Sequence, residues 1–304
     1  MQRRASLVLL VGLLGAAQAA TPGLTPDPPK TCDACGPWNE PQDPFRVFGN
    51  TYFVGTQGLA SILIVSTDGH ILLDGGLTQS APLIAANIRK LNFKVEDIRL
   101  IVNSHMHYDH AGGIAALQRA SGARVAASAA SAVALEQGGL AEDDPQFAFG
   151  PEHNDFPRVA NVRVVRDDET LRVGKLSITA RFTPGHTPGG TTWTWRSCEA
   201  KQCLDMVYAD SLNSVSAPGF KFSGARDQSR VDTFRRSIAR VAALPCDVLL
   251  APHPQLIDMA AKLERRAAQP AVNPFIDRQA CTAYAGAASQ RLDQRIAEEG
   301  ASSN

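Results

Sequence analysis

The chain has 304 residues, of which 44% are hydrophobic and 20% are charged. This length fits one large domain or two modest ones, and the composition excludes intrinsic disorder and a coiled coil as descriptions of the whole chain. Thirty Lys and Arg residues balance thirty Asp and Glu residues, so the charge gives no reason to expect nucleic acid as a partner.

The first residues have the pattern of an export signal. Two Arg residues precede an apolar run at 7–14, and Ala17-Gln18-Ala19 then gives the small-x-small pattern that a signal peptidase accepts. The apolar run is too short to span a bilayer, so we predict a signal peptide over residues 1–19, cleaved after Ala19, and a periplasmic mature protein. No membrane contact is expected after its removal. The alternative is an uncleaved membrane anchor.

Export changes the interpretation of the six cysteines. In an oxidising compartment, an even number of cysteines is typical of disulfides. Six cysteines allow 15 pairings, and proximity suggests Cys32–Cys35 and Cys198–Cys203, which leaves Cys246–Cys281. The alternative for the first pair is a redox or metal site, although neither a thioredoxin-like strand and helix nor a second CxxC accompanies it.

Residues 20–44 are rich in Pro and polar residues, which indicates an extended arm without packed structure. Hydrophobic periodicity then predicts strands at 45–54, 61–66 and 70–74, a helix at 82–91, a strand at 98–103 and a helix at 111–120. It next predicts a strand at 123–127, a helix at 128–137 and a long loop at 142–158. The remaining strands are expected at 161–165, 176–182, 191–195, 205–209 and 247–251, with helices at 229–243 and 276–299.

The two halves of this pattern repeat the same order of strands followed by alternating strands and helices. The sequence contains no linker between them. We therefore predict one α/β domain over residues 45–304, with two sheets and with helices on the outside.

The segment after the strand at 98–103 concentrates metal-binding side chains. Four fall within six residues: His105, His107, Asp109 and His110. Imidazole nitrogens and a carboxylate suit Zn(II), and the absence of nearby cysteines argues against a closed structural site. A chance cluster of surface histidines is the alternative, and the density of this run disfavours it.

Two further histidines also follow predicted strands. His186 lies in a turn rich in Gly and Pro, and His253 lies between two prolines. The carboxyl ends of strands form the edge where α/β sheets build their sites, so we expect these residues to join the first cluster. His70 follows a turn and His153 lies in the long loop, and both are interpreted as surface residues.

The pattern His105-x-His107-x-Asp109-His110, followed by His186 and His253, resembles the metallo-β-lactamase superfamily. Over about residues 30–298 the chain is similar to the subclass B3 enzymes, and the similarity also rests on the runs at 73–76, 184–189, 192–195, 208–212 and 244–250. The resemblance implies an αβ/βα sandwich, the metallo-β-lactamase fold, with two β-sheets flanked by helices and the metals at one edge.

The resemblance also implies a dizinc hydrolase. One Zn(II) is expected on His105, His107 and His186, and the other on Asp109, His110 and His253. A hydroxide shared by the two ions would open the β-lactam ring of penicillins, cephalosporins and carbapenems, with Asp109 as the catalytic residue that orients it. The expected partners are small-molecule β-lactams, and the expected state is a monomer.

Substrate contacts are expected from the loops around the metals. By resemblance they are Ser211, Asn213 and Gln146, although several members carry Ser where this chain has Asn213. The aromatic residues Phe147, Phe149 and Trp38 are candidates for lining or covering the pocket. For each of these positions the alternative is ordinary packing or a solvated loop.

Asp210 leaves other functions open. In relatives that hydrolyse thioesters or lactones, an Asp after the corresponding strand bridges both metals, whereas in a β-lactamase Asp210 would be structural. A lactonase or glyoxalase II-like hydrolase is therefore the alternative. A non-catalytic exported zinc-binding protein is another, although three ligands per metal leave open positions, which is typical of catalytic zinc.

Overall fold

The computed structural model describes residues 24–224 and 228–301. The predicted signal peptide, residues 1–19, lies outside the described residues. Most of the predicted elements are present, and they form two β-sheets packed face to face with helices on the outside.

The first sheet comes from the first half of the chain, and its strands lie side by side in chain order. In the described residues these strands are β1 (Phe45–Phe48), β2 (Thr51–Phe53), β3 (Ile62–Ile64), β4 (His70–Leu73), β5 (Ile98–Val102), β6 (Arg124–Ala127) and β7 (Arg163–Val164). Strands β1 to β4 are antiparallel, and β4 to β7 are parallel. The single strand predicted at 45–54 is wrong, because the left-handed backbone of Gly49 (φ 53°) turns the chain into a hairpin.

The second sheet comes from the second half of the chain. The described strands are β8 (Thr170–Val173), β9 (Leu176–Phe182), β10 (Thr191–Glu199), β11 (Gln202–Tyr208) and β12 (Val248–Leu250). Their order is β12-β11-β10-β9-β8, antiparallel from β8 to β11 and parallel between β11 and β12. The sequence pattern missed β8, a short strand in which only alternate residues are buried.

Helices connect and cover the sheets. Over the part of the chain that the structure describes they are α1 (Cys35–Trp38), α2 (Ser80–Lys90), α3 (Tyr108–Ala111), α4 (Ile114–Ser121), α5 (Ala129–Gln137), α6 (Pro151–Asn154), α7 (Gln228–Ala242), α8 (Met259–Ala268) and α9 (Ala280–Ala301). The described residues also form short 3-10 helices at Val95–Asp97, Phe147–Phe149 and Pro254–Ile257. The helix predicted at 111–120 is divided into α3 and α4, and α8 was not predicted.

Strands β3 to β6 of the first sheet are largely buried on both faces, which explains their nearly continuous apolar sequences. Successive side chains of a strand point to opposite faces. Accordingly, Ile62 and Ile64 of β3 join the core cluster that also contains Trp193 and Tyr208 of the second sheet. Leu63 joins a second cluster with side chains of α2 and α4. The loops beyond the strand ends are thereby held on a rigid base.

The N-terminal arm is packed, which corrects the prediction of an arm without packed structure. Its described part contains α1, and Cys35 is buried against the helices of the first sheet. The backbone N–H of Lys30 donates a hydrogen bond to Thr78 Oγ1 at 3.0 Å. The disulfide Cys32–Cys35 closes the turn before α1. The other two expected disulfides, Cys198–Cys203 and Cys246–Cys281, are also present.

Two histidines predicted at the surface are placed differently. His70 is 6% exposed, and its ring packs edge-on against Phe93 with the ring centroids 5.4 Å apart. His153 is half-buried in α6, where its ring packs against Tyr108 and Phe149. The surface prediction is therefore wrong for His70, because the segment after α2 covers the start of β4, and His153 belongs to a cavity wall described below.

Candidate metal centre

Three segments bring the six predicted ligands to one edge of the sandwich. The segment 105–110 follows β5 of the first sheet, whereas His186 and His253 follow β9 and β12 of the second. All three segments leave the carboxyl end of a strand, as expected for a site in an α/β protein. The centre is therefore built between the two sheets.

His105, His107 and His186 form a compact group. Their ring centroids lie 4.7–4.9 Å apart in edge-to-face contacts, and all three side chains are buried. One ligand atom from each residue lies within 4.8 Å of the others. This group has the composition and spacing to hold a metal ion.

Asp109, His110 and His253 converge beside it. Asp109 Oδ2 lies 3.1 Å from His110 Nε2 and 3.4 Å from His253 Nε2, and the two ring nitrogens are 3.3 Å apart. His105 also groups with Asp109 and His110 within ligand distance. The two sets are consequently adjacent, and the structure brings together all six residues that the sequence singled out.

Carboxyl groups lie beside the outer nitrogens of the first two histidines. Asp210 Oδ1 lies 2.9 Å from His105 Nδ1, and Asp144 Oδ1 lies 3.2 Å from His107 Nε2. A carboxylate at one ring nitrogen fixes that nitrogen as the N–H donor and turns the lone pair of the other nitrogen toward the centre. The lone pairs of His105 Nε2 and His107 Nδ1 are therefore left to face the centre.

Backbone carbonyls accept the outer N–H groups of the two histidines that follow strands of the second sheet. His186 Nδ1 donates to the carbonyl of Asn213 at 2.6 Å, and His253 Nδ1 donates to the carbonyl of Gly58 at 3.3 Å. Each ring thus directs Nε2 toward the other ligands. Asn213 was predicted as a substrate contact, and its backbone has this additional structural role.

Gly58 supports two parts of the site at once. A Cβ atom at this position would lie 2.6 Å from Cα of Trp38, so a larger residue would push α1 away. The ring of Trp38 lies over that of His253, with the centroids 5.3 Å apart. The absence of a side chain at Gly58 therefore sets both the wall formed by Trp38 and the position of His253.

A carboxylate at the end of β4 fixes the loop that begins the ligand segment. Asp74 Oδ1 accepts the backbone N–H of Ser104 at 2.7 Å, and Oδ2 accepts the hydroxyls of Ser104 and Tyr208 at 2.6 and 2.7 Å. Tyr208 belongs to the second sheet, so these hydrogen bonds join both sheets at Ser104, the residue before His105.

The protonation states suit a divalent cation. Burial, followed by repulsion from neighbouring histidines, holds the pKa of His105 well below its ordinary value and that of His186 at about 3. Burial would raise the pKa of Asp109, but its contacts with His110 and His253 outweigh that effect and hold the pKa well below the usual carboxyl range. Neutral imidazoles and an ionised carboxylate are the forms that bind metals.

A cavity of about 650 Å³ opens over the two ligand sets. The predicted contacts Ser211, Asn213 and Gln146 line it, together with Trp38 and Phe149. Ser211 Oγ is buried and has no hydrogen-bond partner among the described residues. Phe147 is 41% exposed and is not part of the lining.

Sequence reasoning missed four residues that shape this site. Tyr108 and His153 line the cavity, and Asp144 and Gly58 hold ligand histidines from behind. The long loop at 142–158 contained a signal for two of them, since loops of this length are commonly functional. Nothing in the local sequence distinguishes Gly58 from other glycines.

Comparison with known proteins identifies the family. A sequence model of the Metallo-beta-lactamase superfamily matches residues 54–253. The chain belongs to this superfamily.

Two solved members are similar over nearly their whole length. The Rm3 metallo-beta-lactamase is 49% identical, with a TM-score of 0.85 over 89% of this chain and 99% of that chain. MEM-A1, a subclass B3 metallo-beta-lactamase from a soil metagenome library, is 49% identical, with a TM-score of 0.83 over 87% and 99%.

The predicted superfamily, the sandwich fold and the similarity to subclass B3 enzymes are thus confirmed. Among curated proteins, a probable metallo-hydrolase of Burkholderia pseudomallei strain 1710b is 32% identical over 174 residues, which are 55% of this chain and 54% of that protein. The chain spans about half the length of the curated relatives it matches. A search of the described helices finds none with the length and hydropathy of a membrane span.

Proposed function

We propose that this metallo-β-lactamase superfamily member is a zinc-dependent β-lactamase of subclass B3 that hydrolyses penicillins, cephalosporins and carbapenems. The observation that carries the proposal is the convergence of five histidines and one aspartate beside a cavity of about 650 Å³, which His107, Asp109, His186 and His253 line. The cavity has the size of a small-molecule site. The 49% identity to solved β-lactamases supports the assignment of the substrate class.

The residues present fit two zinc ions. We assign one to His105, His107 and His186, and the other to Asp109, His110 and His253. Nitrogen and carboxylate ligands suit Zn(II), and three protein ligands leave positions open at each ion. His105 Nε2 is a buried atom without a hydrogen-bond partner in the described residues, which a metal ligand explains. Bound zinc would polarise the lactam carbonyl and make water a nucleophile near neutral pH.

The side chains around the ions then have distinct tasks. The ionised carboxylate of Asp109 accepts a hydrogen bond from the attacking water and orients it toward the lactam carbonyl. Ser211 Oγ donates to the substrate carboxylate, with Asn213 and Gln146 as further polar contacts along the same wall. Trp38 supplies an apolar part of the cavity lining and limits the access of bulk water.

The protein is proposed to act as an exported, periplasmic monomer after cleavage of residues 1–19. The three disulfides support export, because structural disulfides persist in oxidising compartments. N-terminal sequencing of the protein recovered from the periplasmic fraction tests the cleavage site, and a mass measurement in solution tests the monomer.

Measurements on the purified protein test the proposed zinc-dependent β-lactamase activity. We expect two zinc ions per chain, hydrolysis of a carbapenem, loss of hydrolysis after chelation with EDTA, and recovery on addition of zinc. The variant Ser211→Ala should raise KM more than it lowers kcat, because its hydroxyl contacts the substrate away from the reacting bond. Full zinc content with no turnover of a β-lactam panel would instead indicate a zinc-binding protein without this activity.

The position of Asp210 argues against a lactonase or glyoxalase II-like hydrolase. In that alternative the Asp bridges both metals, whereas here Asp210 lies beside the outer nitrogen of His105 and belongs to neither ligand group of the described residues. Side-by-side assays of a carbapenem and an acyl-homoserine lactone separate the two functions. Lactone turnover without carbapenem turnover would reject the β-lactamase proposal.

A further inference from the structure

We propose that Asp144 is a positioning residue that couples metal binding at His107 to the cavity wall that carries Gln146. The inference rests on the proposed metal site, and it does not depend on which substrate that site hydrolyses. A single carboxylate would then control both a ligand nitrogen and the loop above it.

One oxygen of Asp144 makes both connections. Oδ1 lies 3.2 Å from Nε2 of His107 and accepts the backbone N–H of Gln146 at 2.8 Å. Asp144 is 2% exposed, so these contacts are formed away from bulk water, where a charged acceptor binds its donors more strongly. Its position cannot shift toward one partner without loosening the other.

The contact with His107 selects the ligand atom. When Nε2 donates its hydrogen to Asp144, the lone pair of His107 lies on Nδ1, and the carboxylate makes that nitrogen more basic. The side-chain amide Nε2 of Gln146 lies 3.3 Å from this same Nδ1. A single lone pair serves either this amide or a metal ion, so metal binding must release Gln146 toward the cavity.

The backbone of Gln146 connects the release of its side chain to the rest of the cavity wall. Asn154 Nδ2 donates to the carbonyls of Gln146 and Phe147, both at 3.0 Å, and Asn154 is buried. Phe149 and His153 lie between these anchors and line the cavity. The cavity wall is therefore attached to the metal centre through Asp144 at one end and is held by Asn154 at the other.

The test measures zinc binding by the full chain in competition with a chromogenic chelator. Asp144→Asn keeps the size of the side chain and an acceptor oxygen but removes the charge. We expect it to weaken one of the two zinc sites by about 10–100-fold and to leave the other unchanged. The matched control is Asp143→Asn, an exposed neighbour with the same change of charge, which should bind zinc like the wild type.

A second variant is expected to change zinc affinity in the opposite direction. Gln146→Ala removes the amide that competes for His107 Nδ1, so it should tighten the same zinc site by a few-fold. A purely structural role for this loop gives no reason for tighter binding. This variant also keeps the proposal testable if Asp144→Asn does not fold.

Hydrogen exchange of the amides in 146–154 provides the readout of coupling. In the wild type, zinc should change their exchange rates, and in Asp144→Asn this response should be lost at zinc concentrations that restore full occupancy. Unchanged zinc affinity in Asp144→Asn, or an equal loss in Asp143→Asn, overturns the proposal, as does weaker binding in Gln146→Ala. Because β-lactam turnover is not measured, failure of the proposed hydrolysis is a separate result.

Discussion

Asp210 Oδ1 lies 2.9 Å from Nδ1 of His105, and both side chains are almost completely buried. The carboxylate follows β11 of the second sheet, whereas the histidine follows β5 of the first. Their contact joins the two sheets at the metal centre and directs Nε2 of His105 toward the other ligands. Asp210 therefore supports a ligand from behind.

This relationship predicts the effect of Asp210→Asn. Replacing the carboxyl group with an amide should loosen the contact with His105 Nδ1, make His105 a poorer ligand and weaken the site formed with His107 and His186 by about 10–100-fold. Zinc competition titrations measure the change, with the exposed Asp232→Asn as a control that should not affect zinc binding. Equal loss of both zinc ions would instead indicate that Asp210 contacts both metals.

Gly58 predicts a defect in the other ligand set. In Gly58→Ala the added Cβ would lie 2.6 Å from Trp38 Cα, so α1 and the carbonyl that holds His253 must move apart. We expect weaker binding of the zinc ion proposed at Asp109, His110 and His253, and altered tryptophan fluorescence. In the control Gly36→Ala, on α1 itself, a Cβ meets no atom within 4 Å, and zinc binding should be unchanged.

The disulfides predict a ranking of stability. Cys246–Cys281 closes a loop with a sequence separation of 35, and Cys198–Cys203 one with a separation of 5. By loop-closure entropy, replacing the first pair with serine should cost about 4 kcal/mol of unfolding free energy, and replacing the second about 2 kcal/mol. Denaturant unfolding of the two double variants tests this, and the reverse order would show that strain or packing dominates.

His70 predicts a pH dependence of stability. Burial lowers the pKa of His70 below its ordinary value of 6.5. The unfolded chain therefore binds the proton more tightly, so the stability due to neutral His70 is present above pH 6.5 and is lost as the pH falls below that value.

The variant His70→Leu, which cannot be protonated, should lose less stability than the wild type between pH 7.5 and pH 5.5. Urea unfolding in the presence of a chelator at both pH values measures this difference without the contribution of bound metal. An identical loss in the two proteins would contradict the assignment of His70 as a buried neutral group.

The sequence pattern predicted the centre well because its ligands follow strands. In the segment 105–110 the spacing alone indicated a metal site, and His186 and His253 each had a turn that marked the end of a strand. The strands of the two sheets could also be predicted from local signals, because the apolar runs of β5 and β9 are bounded by turn residues. Local signals of this kind can be recognised in the sequence without knowledge of the fold.

The supporting residues could not be predicted in this way. Asp144 contacts His107 across 37 positions of sequence, and Gly58 contacts His253 across 195. Neither contact leaves a periodic signal, because each depends on where a loop is held by the completed fold. His70 was assigned to the surface for a related reason, since the ring that covers it, Phe93, lies beyond an intervening helix.

The ligands of each proposed zinc ion come from both halves of the chain. In the first set, His105 and His107 follow a strand of the first sheet and His186 follows a strand of the second. In the second set, Asp109 and His110 follow the first sheet and His253 follows the second. An ion bound by such a set fastens the two halves together as a cross-link does, in addition to any chemistry it supports. Occupancy should therefore govern how the protein resists proteolysis and heat, and zinc scarcity would reduce its abundance as well as its rate.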